Sequence, residues 1–138
     1  MIKNAGIIGS NYPANARLIM THPGDIAIAA KEELEKTFTG KTVRYVASDD
    51  RTLTDVASVL GNAIGKPDLP WIEFSDKDSL EGMKQAGMSP AIAITYVEMG
   101  NAVKSGILWG DYNATKASVT GKTKLEDFAK EFAENYNQ

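Results

Sequence analysis

Three helix starts and three matching stops fall within the stretch Thr52–Gly106, and they constrain the fold more than any other feature of this chain. Thr52 stands three residues before Asp55, Ser75 three before Asp78, and Ser89 directly before Pro90. A hydroxyl at the N-cap accepts an orphan backbone N–H of the first turn, an acid at the third helical position reaches back to the cap, and proline at the first position surrenders only an N–H with no intrahelical partner. Each start has a glycine downstream: Gly65 (with Pro67), Gly87 and Gly106. Glycine takes the left-handed conformation that ends helices. One apolar face follows each start: Leu53, Val56, Ala57, Leu60 and Ile64; then Leu80, Met83 and Ala86; then Ile92, Tyr96, Met99 and Val103. Between the first two, a stiff Pro67-Asp68-Leu69-Pro70 turn leads into Trp71–Phe74, a β-like run. Short capped helices separated by an extended run exclude an all-helical bundle and an all-β sandwich.

The flanks extend the same pattern. Gly6 and Gly9 surround Ile7 and Ile8, and the turn formers Asn11, Tyr12, Pro13 and Asn15 should connect two short strands, the second over Arg17–Met20. Asp25 is an N-cap candidate for a helix carrying Ile26, Ala29, Ala30 and Leu34 before Gly40. Thr42–Val46 is β-branched and aromatic and reads as a strand. Ile107–Gly121 lacks periodicity and reads as a loop. A last helix is expected from Thr123, with Glu126 completing a capping box and Leu125, Phe128, Ala129, Phe132 and Tyr136 as its stripe. The expectation is one unit over residues 1–138, with about five helices and three or four short strands, an α/β chain with α+β character.

The residue inventory narrows the chemistry. The 138 residues include no Cys and one His, His22. Disulfides, thiolate metal sites and thiol nucleophiles are therefore excluded, as are zinc sites needing two or three imidazoles. With 15 basic against 18 acidic residues, and Arg17, Arg44 and Arg51 scattered, nothing suggests a nucleic-acid or anionic-membrane surface. No apolar run approaches the roughly 20 residues of a spanning helix. No signal-peptide core is visible either, so the expected location is cytoplasmic.

Several motifs fail on inspection. Gly40-Lys41-Thr42 and Gly121-Lys122-Thr123 each lack the earlier glycine of a phosphate loop, where Glu35 and Lys116 stand. Gly6-x-x-Gly9 has no glycine at Asn4, Ser10 or Tyr12 to complete a dinucleotide fingerprint, and no strand precedes it. Tyr112-x-x-x-Lys116 has the spacing of a short-chain dehydrogenase tyrosine and lysine, but Gly110, Asp111, Asn113 and Thr115 make its surroundings loop-like. Asn113-Ala114-Thr115 is a glycosylation triplet without meaning in a chain not bound for secretion. Trp71, Phe74, Phe128 and Phe132 fit core positions. His22-Pro23-Gly24-Asp25 is the densest candidate. His22 is either a binding group beside a helix N-terminus, whose dipole disfavours the imidazolium, or a loop histidine with one structural hydrogen bond.

A family resemblance adds to this. The segments Met20-Thr21-His22-Pro23-Gly24-Asp25-Ile26-Ala27, Gly40-Lys41-Thr42-Val43-Arg44-Tyr45-Val46-Ala47-Ser48-Asp49 and Ala63-Ile64-Gly65-Lys66-Pro67, then Trp71–Phe74 and the closing Thr123–Ala133 helix, occur in order. Together they resemble the C-terminal half of NmrA-like proteins, atypical short-chain dehydrogenases/reductases related to nucleoside-diphosphate-sugar epimerases. The resemblance implies the C-terminal part of an NAD(P)-binding Rossmann-type fold. The glycine-rich dinucleotide half has no counterpart in the sequence. It implies no catalytic, cofactor or metal residue within this chain. NAD(P) would belong to the complete fold, and the Gly9–Asp25 segment would line the substrate cleft, with Tyr12 and His22 facing a small-molecule substrate. Three readings follow: the C-terminal part of an oxidoreductase or epimerase-like protein, inactive alone; a free-standing regulatory or binding module without turnover; or a small enzyme using His22. Without the rest of the sheet, a Thr42–Val46 strand would expose an apolar edge, and a homo-oligomer or other partner is expected to cover it.

Overall fold

The computed structural model describes residues 1–115 and 118–137. In chain order the elements are α1 (Ile2–Ala5), β1 (Ile8–Ser10), β2 (Arg17–Met20), α2 (Pro23–Leu34), β3 (Asp49–Thr52), α3 (Leu53–Ala63), β4 (Trp71–Glu73), α4 (Asp76–Gln85), α5 (Pro90–Ser105), a 3-10 turn (Ile107–Trp109), α6 (Gly110–Ala114) and α7 (Leu125–Tyr136). The three helices expected from their caps form as expected. Thr52 and Asp55 make a reciprocal capping box at α3, and the hydroxyls of Ser75 and Ser89 accept N–H bonds from Asp78 and Ile92. Gly106 closes α5 in the left-handed conformation.

The strands form two separate pairs. β1 runs parallel to β4, with Ile8 opposite Trp71 and Ser10 opposite Glu73, while β2 runs antiparallel to β3, with Arg17 opposite Thr52 and Met20 opposite Asp49. The core lies between α3 and α7. Leu53, Val56 and Leu60 pack against Leu125 and Ala129, with Leu18, Met20 and Trp71 closing the sides. Burial of Leu53, Val56, Leu60 and Leu125 contributes about 1.5–3 kcal/mol each.

Four sequence expectations are corrected. Thr42–Val46 is not a strand: its residues make no backbone-to-backbone hydrogen bond among the described residues, because no neighbouring strand lies alongside to pair with them. The strand forms instead at Asp49–Thr52, a polar run that sequence preference disfavours but that β2 supplies with a partner. The first long helix starts three residues earlier than expected, capped by His22 rather than Asp25, and it ends at Leu34. The last helix starts at Leu125 without a side-chain cap, because its N-cap residue is Lys124, whose ammonium cannot accept, and Glu126 instead accepts from Arg51 Nη2 at 3.0 Å. Two smaller differences concern the segment read as a loop, whose first part holds the 3-10 turn and α6, and Phe128, which lines a cavity instead of filling the core.

Candidate functional site

A cavity of about 420 Å³ opens between the entry to α2, the inner face of α3 and the first turns of α7. Its walls are apolar: Met20, Pro23, Val56, Leu60, Leu125 and Phe128. His22, Thr21, Thr123, Lys124 and Glu131 add polar groups. The volume lies within the roughly 300–1,000 Å³ of small-molecule pockets, and apolar walls with a few fixed polar groups are the usual composition.

His22 owes its place to α2. Its Nδ1 accepts the backbone N–H of Gly24 at 3.1 Å, so the imidazole itself is the N-cap, and Pro23 fills the first helical position. Because Nδ1 accepts, the ring hydrogen sits on Nε2. Nε2 lies 3.7 Å from Glu131 Oε2, too far for a direct hydrogen bond. The ring thus leaves one N–H donor beside the cavity that a ligand's acceptor can satisfy.

Behind the histidine is a buried polar network that sequence reasoning missed. The Ser48 hydroxyl accepts the His22 backbone N–H at 2.8 Å and donates to Asp25 Oδ2 at 2.7 Å. Asp25 Oδ2 also accepts the Thr123 N–H at 3.0 Å. The Ser48 hydroxyl, ahead of an opposing burial cost, holds the Asp25 carboxyl below its ordinary value, helped by the Thr123 and Lys122 amides and by His22. At Asp49, burial pushes the carboxyl upward but is outweighed by Arg51 Nε at 3.0 Å and the N–H groups of Leu125 and Asp50, so the net direction is again downward. Asp49 thereby supplies the first turn of α7 with the acceptor that Lys124 does not provide. The Lys124 ammonium is itself spent on the carbonyls of Ser48 and Gly121, at 2.7 and 2.9 Å. Gly121 is held tightly, since a Cβ there would stand 2.5 Å from Asp25 Oδ2 and 2.7 Å from Ser48 Cα.

Serine, histidine and aspartate therefore meet at one point, yet not as a nucleophilic triad. Such a triad passes the serine hydrogen to the imidazole. Here Ser48 gives it directly to Asp25, the imidazole turns its Nδ1 to Gly24, and the His22 group that meets Ser48 is its backbone N–H. The arrangement positions the ring; it does not activate the hydroxyl.

Tyr12 does not line this cavity. Its ring stacks on Trp71 at 5.6 Å, and the Trp71 indole N–H donates to the Tyr12 carbonyl at 3.0 Å, so Tyr12 fixes the β1–β2 loop. Tyr112 is buried edge-on against Tyr45 at 5.9 Å. Its proposed partner Lys116 lies outside the described residues. No group of acidic or imidazole side chains suited to a metal ion occurs among the described residues, and no described helix is long and apolar enough to cross a membrane.

Gly9 does not open a pyrophosphate cradle. No helix N-terminus follows β1; the chain runs on instead to the buried Asn11. Gly9 serves close strand pairing, since a Cβ there would stand 2.1 Å from the Ile72 carbonyl. A pyrophosphate cradle needs both a glycine turn and a following helix.

No protein-family model and no curated protein matches the sequence. A solved structure does: triphenylmethane reductase from Citrobacter sp., a protein acting in the bioremediation of triphenylmethane dyes, superposes with a TM-score of 0.70 at 17% identity. The match covers 92% of this chain and 45% of that one, so the chain spans less than half of the reductase's length. The likeness is one of fold, and the chain shares its architecture with part of an oxidoreductase.

Proposed function

We propose that this chain is the substrate-side, C-terminal part of an NmrA-like NAD(P)-dependent oxidoreductase, with the dinucleotide held by a separate Rossmann part and no turnover by the chain alone. The observation that carries the reading is the fold match, which accounts for nearly all of this chain and under half of a reductase. In this reading the cavity receives a largely apolar substrate. Phe128 and Leu60 supply contact area, and the His22 Nε2–H donates to an acceptor on the substrate. Tyr12 acts as a positioning residue for the loop leading toward His22. Redox chemistry would arrive with the cofactor, and no residue here moves an electron pair.

Two titrations test this. NADPH added to the isolated chain should give no saturable signal up to about 1 mM, and saturation in the micromolar range would overturn the division of labour. A triphenylmethane dye, used as an apolar probe, should bind the cavity with a Kd on the order of 10–100 µM and be weakened about tenfold by Phe128→Ala. Dye binding that is indifferent to Phe128→Ala would remove the cavity from the proposal.

A further inference from the structure

We infer that Glu131 is a specificity-determining residue of the cavity and that, with His22, it selects a neutral molecule with an apolar body and one hydroxyl group. The inference rests on the cavity being the substrate site, as proposed above.

The two partners reach the cavity from opposite sides. Because Nδ1 of His22 accepts the Gly24 N–H at 3.1 Å, the ring can donate only at Nε2. Glycine lets the ring sit there, since a Cβ on Gly24 would stand 3.0 Å from Nδ1. Glu131 stands one turn beyond Phe128 on α7, so both side chains line the same wall. Among the described residues its carboxylate meets only Nε2, at 3.7 Å. One ligand oxygen can stand within hydrogen-bond reach of both. The group that fits accepts from Nε2 and donates to the carboxylate. A hydroxyl does both, whereas a ketone or an ether only accepts and an ammonium only donates.

The rest of the lining favours a neutral ligand. The Asp49 carboxylate is met by Arg51 and by the N–H groups of Leu125 and Asp50. Lys124, whose ammonium bonds the carbonyls of Ser48 and Gly121, offsets the charge of Glu131. With the lining balanced, a charged ligand finds no uncompensated partner to offset its loss of water. The Thr21 hydroxyl is occupied as well, donating to the Val46 carbonyl at 2.8 Å. The Thr123 hydroxyl can give or accept, and so does not discriminate.

Four probes with one apolar body separate these features: naphthalene, methoxynaphthalene, naphthol and naphthoate. Titrations at about pH 8 keep imidazole and a phenolic hydroxyl neutral. Naphthol should bind about tenfold tighter than methoxynaphthalene, which accepts but cannot donate, and naphthoate should bind more weakly than either. Glu131→Ala, at a side chain 58% exposed, should leave the fold intact. It should cut the naphthol advantage to about twofold or less and leave methoxynaphthalene unchanged. His22→Asn, which keeps an oxygen to cap α2 but removes the Nε2 donor, should weaken naphthol and methoxynaphthalene but not naphthalene. Naphthol that binds no better than methoxynaphthalene, or an advantage that survives Glu131→Ala, would overturn the inference, while naphthalene binding that depends on Phe128 would leave the cavity standing. A preference for naphthoate would overturn it too, by giving the choice of charge to Lys124. Binding of all four probes that ignores Phe128→Ala would remove the cavity reading and this inference with it.

Discussion

Two flanks of this molecule treat similar sequence in opposite ways. Around His22, Ser48 and Asp25, three distant segments are drawn together, and the side-chain oxygens of Ser48 and Asp25 are bonded. Along α2 and Thr42–Val46, apolar side chains and backbone amides face solvent. Ile26, Ala30 and Leu34 follow one another along the outer side of α2 with nothing against them, while Asp25 and Ala29 hold the inner side. The difference teaches where the chain is self-sufficient. The cavity side is held by its own bonding, whereas the outer side of α2 leaves Ile26, Ile28 and Leu34 exposed.

That contrast is open to direct attack. The largest effect belongs to the core under the cavity: Leu53→Ala, at a side chain only 1% exposed, should cost about 2–5 kcal/mol, read as a fall in the urea midpoint. A smaller effect should appear in acid. Asp25 and Asp49 are both held below their ordinary value of 3.8, so each takes up its proton more readily in the unfolded chain than in the folded one. Their contribution is fully present above that value and is lost as pH falls below about 4. Thermal melts from pH 6 down to pH 3 should show the loss, and Asp25→Asn should flatten the profile. The smallest effect is expected on the other flank, where Leu34→Gln, changing an exposed side chain, should move monomer stability by no more than about 0.5 kcal/mol. A large loss there would mean that the outer face of α2 is covered within a single copy.

How much of this was legible in the sequence depended on the range of the interactions. The caps at Thr52, Ser75 and Ser89 are local, each formed by groups within three residues, and all three were readable. Thr42–Val46 was misread because β-propensity measures fit to a sheet, and a ladder also needs a partner that lies elsewhere. Asp49–Thr52 was missed for the converse reason: β2 and the first turn of α7 hold it, and both are remote in sequence. At the site, His22 was identified as a candidate, but its capping role was assigned to Asp25. Residue type favoured the aspartate, whereas burial against Ser48 and Thr123 claimed its carboxylate. No local pattern marks Ser48, whose importance arises only when residues 22, 25 and 123 converge on it.

The buried Asn11 has a consequence for motion. Its Nδ2 donates to Asp76 Oδ1 at 2.9 Å and to the Val97 carbonyl at 3.0 Å, and Asp76 in turn accepts from Asn101 at 2.8 Å. One amide from the β1–β2 loop thus fastens both α4 and α5, and Gly100 makes room for it, since a Cβ there would overlap Asn11 Oδ1. The helix pair packs mainly on itself and the 3-10 turn, away from α3 and α7. That one asparagine side chain therefore couples two helices to one loop, and Asn11→Ala is expected to speed amide exchange in α4 and α5 ahead of that in α3 and α7.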